Sequence, residues 1–198
     1  MPRYRSLSVV VAVLLLAACS PSKPAFNGTD LGPVDWGGDF ALRAHTGKRV
    51  GSGDFRGKVA VIYFGYVDCP DVCGPTLAKL AQVRRSLGAD AERLQVLFVT
   101  IDPRHDTPER LAQFVAKFDP SFIGLTGTPA EIAAVARDYK VSYREGQAHE
   151  HGHAHTAPDH SGGMLVKDAN GKLRLYFGAD ASVADVEHDI RVLLKQRA

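Results

Sequence analysis

Residues 59–77 have the sequence VAVIYFGYVDCPDVCGPTL, an apolar run that ends at two cysteines four positions apart, Cys69 and Cys73. The apolar part has the length and the β-branched and aromatic content of a strand buried on both faces of a sheet. In α/β sheets, ligands bind beyond the carboxyl end of a central strand, where the next helix starts. The two thiols occupy this position. We therefore expect Cys69 and Cys73 to carry the function.

The sequence around this stretch alternates between strand-like and helix-like patterns. Thr107 and Thr128 are each followed by proline, which is typical of a helix start, and Asn170-Gly171 is typical of a hairpin turn. The predicted helices cover residues 77–87, 108–118, 129–139 and 183–195, and the predicted strands cover 59–64, 94–101, 122–125, 141–143, 163–167 and 173–177. This order predicts an α/β fold, a mixed central sheet flanked by helices with an inserted hairpin.

The first 18 residues are predicted to be a signal peptide. Arg3 and Arg5 precede an apolar segment at residues 7–18, which is shorter than the roughly 20 residues that a membrane span needs. Leu16-Ala17-Ala18-Cys19 resembles the lipobox of bacterial lipoproteins, which predicts cleavage before Cys19 and lipidation of that cysteine. The alternatives are an ordinary signal peptide or an anchor helix with a chance cysteine.

The remainder divides into two parts. Residues 19–35 are rich in proline, serine and glycine and are predicted to be the lipidated N-terminus and a flexible tether. Residues 36–198 are predicted to form the folded domain. The predicted location is extracytoplasmic, in the bacterial periplasm, with the membrane reached through the lipid anchor.

Composition excludes one class of partner. Removal of Arg3 and Arg5 with the signal peptide leaves 22 basic against 22 acidic residues, so the basic surface that nucleic-acid binding requires is missing and no nucleic acid is expected. Once Cys19 carries lipid, two cysteines remain. In an oxidising compartment such a pair indicates a disulfide, a redox couple or a site for a soft metal.

Four motifs together resemble the Sco/SenC family. They are GGDFAL at residues 37–42, FGYVDCPDVC at 64–73, VTIDP with DTPE between 99 and 109, and DHS at 159–161 followed by Leu165-Val166 and Asp168. The resemblance runs in order from residue 37 to 195. It implies a thioredoxin-like fold and copper, Cu(I) or Cu(II), bound by Cys69, Cys73 and the distant His160. The family helps deliver copper to the dinuclear copper site of cytochrome c oxidase or keeps the cysteines of that site reduced. The implied partners are the copper-site subunit of the oxidase and other periplasmic copper carriers.

The chemistry of the residues agrees with this resemblance. Two thiolates and an imidazole are soft ligands suited to Cu(I). Residues four apart on a helical turn place Cβ atoms about 5–6 Å apart, whereas a relaxed disulfide needs about 3.8 Å, so the spacing favours convergence on an ion over a structural disulfide. A helix starting just after Gly74 is also expected to stabilise the thiolates through its positive end.

The sequence departs from the family pattern in three places. Residues 149–155 contain His149, His151, His153 and His155, which predicts an auxiliary, weaker metal site; the alternative is a solvated loop. Pro158 precedes the segment that carries His160, where an aromatic, strand-like segment is usual. His105 stands where an arginine is common, and the neighbouring Asp102 and Asp106 are interpreted as turn and capping residues.

Two classes of function remain open. The first is a metallochaperone, which is not an enzyme. The second is a thiol–disulfide oxidoreductase in which Cys69 and Cys73 are the redox-active pair. His160, which a reductase does not need, and the CxxxC spacing in place of CxxC favour the chaperone. A peroxiredoxin is disfavoured, because Tyr66 stands where that class has threonine or serine.

Overall fold

The computed structural model describes residues 25–143 and 163–196, which form an eight-stranded mixed sheet with four α-helices on its faces. The strand order is β1-β8-β7-β4-β5-β6-β2-β3. The strands are β1 Thr29–Asp30, β2 Ala41–Ala44, β3 Arg49–Gly51, β4 Val59–Gly65, β5 Leu94–Thr100, β6 Ile123–Thr126, β7 Met164–Lys167 and β8 Leu173–Phe177. The helices are α1 Cys73–Ser86, α2 Pro108–Ala116, α3 Pro129–Asp138 and α4 Val183–Lys195.

Strand β4 lies in the middle of the sheet, and all seven of its residues are buried. It pairs in parallel with β5 and antiparallel with β7. Alternate side chains of β4, such as Tyr63 and Phe64, enter two separate hydrophobic clusters. The first cluster packs against α1, α2 and α4, and the second packs against α3. The predicted α/β fold with a mixed central sheet is confirmed, as is the β7–β8 hairpin, whose turn holds Gly171 at a φ of 80°.

The helices begin where their capping residues predict. Thr107 Oγ1 accepts a hydrogen bond from the amide of Arg110 before α2. Thr128 and Glu131 form a reciprocal capping box before α3. Proline follows each cap at the first turn, where its missing N–H costs nothing. These local signals fix the residue at which each helix begins.

The prediction of a strand at residues 141–143 is wrong, since these residues have no regular structure. Lys140 takes a left-handed conformation with a φ of 57°, and the amide of Val141 donates back to the carbonyl of Ala136 at 2.8 Å. The C-terminus of α3 therefore uses the amide that a strand would need.

The prediction of a flexible tether over residues 19–35 is wrong for its described C-terminal part. Strand β1 pairs with β8, and the amides of Asn27 and Gly28 donate to the carboxylate of Asp189 at 2.8–3.1 Å. Asp189 on α4 is fully buried, and a buried carboxylate requires donors of this kind. The folded domain accordingly begins before the predicted residue 36.

Within residues 25–143 and 163–196, no helix combines the length and the apolar character needed to cross a bilayer.

Candidate metal centre

The two cysteines lie together at the carboxyl end of β4, as the sequence predicts. Strand β4 ends at Gly65, the chain turns, and Cys73 is the first residue of α1. The amide of Cys69 donates to the carbonyl of Tyr66 at 3.3 Å within this turn. Both cysteines are thiols. They differ in accessibility, because Cys73 has no exposed surface while Cys69 is partly exposed.

The sulfur of Cys73 is enclosed by the sheet beneath it. A Cβ atom built on Gly65 would come within 2.6 Å of Cys73 Sγ, so only glycine leaves room for the sulfur at this place. On the same face of β4, the hydroxyl of Tyr63 donates a hydrogen bond to Cys73 Sγ at 3.6 Å. Burial and the neighbouring Cys73 raise the pKa of Tyr63, so that the phenol stays protonated and acts as a donor. The position of this sulfur is therefore fixed from the core side.

The helix predicted to start just after Gly74 begins at Cys73, and the stabilisation of the thiolates expected from its positive end is outweighed at Cys73. A hydrogen bond with Cys69 and burial both raise the pKa of the Cys73 thiol. Both effects outweigh the positive helix end, because two sulfurs this close resist carrying two negative charges in a buried place. Burial and Cys69 also raise the pKa of Tyr66 to about 12. A cation between the sulfurs would offset the repulsion of the two thiolates, so the pair is suited to a metal ion.

Asp106 is a residue of the site whose role the sequence reasoning missed. Its side chain is 2% exposed, and its Oδ2 accepts hydrogen bonds from Thr100 Oγ1 at 2.6 Å and from the amide of Val67 at 3.1 Å. Val67 stands two residues before Cys69, so the carboxylate fastens the cysteine loop to the β5–α2 loop. Its place in the sequence could have revealed this role. Asp106 follows β5, which is parallel to β4, and the carboxyl ends of parallel strands lie at the same edge of a sheet.

A second contact joins the same two loops at the surface. Arg110 donates to Asp68 Oδ1 at 2.7 Å and to the carbonyl of His105 at 3.0 Å. The Nδ1 atom of His105 lies 2.8 Å from Oδ1 of Asp102. The backbone carbonyl of Asp102 accepts hydrogen bonds from the amides of His105 and Asp106. The interpretation of Asp102 as a turn residue is confirmed.

The other predicted site residues lie outside the described residues. These are His160, the lipidation site Cys19, and the four histidines His149, His151, His153 and His155. Within residues 25–143 and 163–196 there is no group of three or more metal-ligating side chains. The structure thus brings together two of the three predicted ligands, and the three-ligand set stays a prediction.

The donor set of the described residues suits a soft ion. Once a metal ion displaces their protons, the two sulfurs are thiolate donors, which favour Cu(I) over hard cations. The glycine at position 65 gives the inner sulfur its space, and the partial exposure of Cys69 leaves an approach from solvent. The same arrangement also permits disulfide formation, so geometry leaves both function classes open.

Comparisons of the sequence and the structure with known proteins are consistent with this site. The family model described as SCO1/SenC matches residues 29–195. A "SCO2-like protein" of Rickettsia felis is 33% identical over 91% of this chain and 88% of its own length. The structure resembles apo Sco1 from Thermus thermophilus, with a TM-score of 0.76 and 34% identity over 87% of this chain and 99% of the other. It also resembles ScoI from Bradyrhizobium japonicum solved with copper bound, with a TM-score of 0.71 and 32% identity over 80% of this chain and 99% of the other. Because the family match spans most of the chain and includes both cysteines, the protein belongs to the SCO1/SenC family and has its thioredoxin-like fold.

Proposed function

We propose that this protein is a copper chaperone that holds one copper ion through Cys69, Cys73 and His160 and passes it to the dinuclear copper site of cytochrome c oxidase. The observation that carries the proposal is the pair of adjacent thiols at the carboxyl end of β4, one enclosed and one accessible. The family is implicated in the assembly of copper into cytochrome oxidase. The relative from Bradyrhizobium japonicum has copper bound.

The two cysteines have different parts in this proposal. Cys73 is anchored by α1 and by the space over Gly65, so it retains the ion. Cys69 lies in a turn and is partly exposed, so the thiol or imidazole of a partner can reach the ion from its side. Copper is cargo here and leaves with the partner, which requires ligand exchange and no turnover.

Anaerobic copper titration of the reduced protein tests the proposal. We expect one tightly bound copper, with tight binding abolished by Cys69→Ser and by Cys73→Ser. His160→Ala should weaken binding and shift the sulfur-to-copper charge-transfer band. His188→Ala is the matched control, because this histidine is half exposed on α4. If both cysteine variants retain the wild-type affinity, the ion binds elsewhere and the proposal fails.

A thiol–disulfide oxidoreductase is the second candidate. The hydrogen bond between the two sulfurs favours it, because adjacent thiols can close to a disulfide. Cys69 would attack a partner disulfide, and Cys73 would release the partner as a dithiol while Cys69–Cys73 becomes the disulfide. Cys73→Ser should then trap a mixed disulfide through Cys69. His160→Ala separates the two functions, because it should impair copper binding and leave thiol exchange unchanged.

The location is part of the same proposal. Residues 1–18 would be removed, Cys19 would carry lipid, and the domain would work in the periplasm at the membrane. The tether is shortened to the residues before Asn27, since that amide is bonded to α4. Labelling with a radioactive fatty acid tests this, because Cys19→Ser must lose the label. An unlabelled wild type would contradict it.

The histidine tract at residues 149–155 is proposed as an auxiliary site of lower affinity. Ordering seven residues costs about 1–2 kcal/mol for each residue, which offsets much of the binding energy. Changing His149, His151, His153 and His155 to serine should remove extra equivalents of Cu(II) and retain one tight copper. Loss of the tight copper would mean that the tract supplies the third ligand in place of His160.

A further inference from the structure

The hydroxyl group of Tyr63 is placed against the sulfur of Cys73, a proposed copper ligand, in the interior of the protein. Tyr63 and Cys73 both have no exposed surface, and Tyr63 Oη donates to Cys73 Sγ at 3.6 Å. Phenylalanine would fill the same space in the core without placing a polar atom there. Because burying a hydroxyl without a partner is costly, the oxygen of Tyr63 depends on its neighbours.

A second hydroxyl contacts the same oxygen. Thr76 forms a side-chain hydrogen bond with Tyr63, is 2% exposed, and lies three residues after Cys73 on α1. Thr76, Tyr63 and Cys73 therefore form a short chain of hydrogen bonds between α1 and β4. Bonds in such a chain polarise one another, so Thr76 strengthens Tyr63 as a donor.

We propose that Tyr63 is a positioning residue that tunes the sulfur of Cys73 by donating a hydrogen bond to it. Donation withdraws electron density from the sulfur, and hydrogen bonds around a cysteine sulfur are known to set the properties of copper–thiolate and iron–sulfur sites. The effect of Tyr63 on bound copper rests on the proposed function. Its effect on the redox equilibrium of the two cysteines does not.

The direction of both effects follows from the donation. With less electron density on sulfur, charge transfer from sulfur to Cu(II) requires more energy, so loss of the bond moves the absorption band to longer wavelength. In the metal-free protein, oxidation joins the two sulfurs and transfers two electrons and two protons to an oxidant such as the disulfide of dithiothreitol. A disulfide sulfur is a weaker acceptor than a thiol or thiolate, so loss of the bond favours the disulfide.

Tyr63→Phe tests the proposal, and Tyr139→Phe is the matched control. Tyr139 is also a buried tyrosine, and its hydroxyl donates to the carbonyl of Gly38 at 2.8 Å, in the second hydrophobic cluster. Equilibration with dithiothreitol should show the disulfide of Tyr63→Phe favoured by about threefold to tenfold over wild type, a shift of about 15–30 mV for a two-electron couple. The Cu(II) charge-transfer band should move to longer wavelength. Tyr139→Phe should change neither quantity, although both variants lose stability.

A second variant keeps the test decisive if Tyr63→Phe fails to fold. Thr76→Val removes the outer donor of the chain and should move both quantities in the same direction by a smaller amount. Equal redox equilibria in wild type, Tyr63→Phe and Thr76→Val would overturn the proposal and leave Tyr63 a core residue only. If the protein binds no copper and the redox equilibrium still shifts, the proposed copper function fails while the role of Tyr63 stands.

Discussion

Gly65→Ala tests whether the core fixes the inner sulfur of the site. The added Cβ would lie 2.6 Å from Cys73 Sγ and 2.8 Å from Phe98 Cε2, whereas ordinary contact begins at 3.4 Å. To restore ordinary contact, the sulfur of Cys73 must move away by about 0.8 Å, the difference between 2.6 Å and 3.4 Å. Metal–ligand distances tolerate only about 0.2 Å. The substitution should therefore disrupt copper binding as well as packing.

The magnitude of each effect can be stated separately. Overpacking of a core costs about 1–3 kcal/mol of unfolding free energy, which chemical denaturation measures. Displacement of one of the proposed ligands should lower Cu(I) affinity by at least about tenfold, equivalent to about 1.4 kcal/mol. Competition with a chromophoric Cu(I) chelator under anaerobic conditions measures this affinity.

Two other glycines provide controls. Gly74→Ala adds a methyl group next to Cys73 on α1, where a new Cβ meets nothing within 4 Å, so affinity and stability should be retained. Gly124→Ala brings a Cβ within 2.9 Å of Leu111 Cβ, so stability should fall and copper binding should not. If Gly65→Ala is destabilised but keeps the wild-type affinity, the sulfur of Cys73 is not held as the structure indicates.

Three further predictions concern residues that support the site or the domain. Asp106→Ala leaves the amide of Val67 without its acceptor and should cost about 1–3 kcal/mol of stability and weaken copper binding, measured by denaturation and chelator competition. Lys167→Met removes buried hydrogen bonds to the carbonyls of residues 37 and 38 at 2.8–3.0 Å and should cost a similar amount without affecting copper. Burial lowers the pKa of His45 from 6.5, and its Nδ1 accepts the amide of Gly124. The unfolded chain therefore binds a proton at His45 more readily than the folded chain does, so the free energy of unfolding falls as the pH drops below about 6.5. His45→Gln should reduce this loss, measured by denaturation curves at pH 8 and pH 5.

These predictions have their own controls. Lys172→Met changes an exposed lysine on the neighbouring turn and should be nearly neutral. If Lys167→Met also weakened copper binding, a change at the end of β4 away from the cysteines would affect the site, contrary to this prediction. If His45→Gln loses as much stability between pH 8 and pH 5 as wild type does, the loss comes from carboxylates and not from His45.

Local signals in the sequence were sufficient for most of the fold. The apolar run at β4, the threonine–proline pairs before α2 and α3, and the turn at Asn170-Gly171 each act over a few residues, and each was confirmed. Helix α4 was predicted with its observed bounds, Val183–Lys195. Where propensity and tertiary structure agree, the sequence pattern is enough.

The missed features depend on residues far apart in the chain. Strand β1 is two residues long and lies in a segment with the composition of a linker, and its attachment requires Asp189, 162 positions from Asn27. The hydrogen bond from the amide of Gly124 to His45 likewise joins residues 79 positions apart. The expected stabilisation of the thiolates considered the helix end alone, whereas the second sulfur and burial raise the pKa of the Cys73 thiol. No local pattern contains this information.

The two sulfurs are held in different ways, and the sheet topology explains the difference. Cys73 is fixed by α1 and β4 in the core, whereas Cys69 lies in a turn that Asp106 fastens through Val67. This fastening is possible because β4 and β5 are parallel neighbours, so that their carboxyl ends and the following loops meet. An ion between the sulfurs, as proposed, would then be held by the core on one side and by a loop on the other. Asp106→Ala should therefore act mainly by accelerating copper release to a chelator, and it should leave the charge-transfer band where wild type has it, in contrast to Tyr63→Phe.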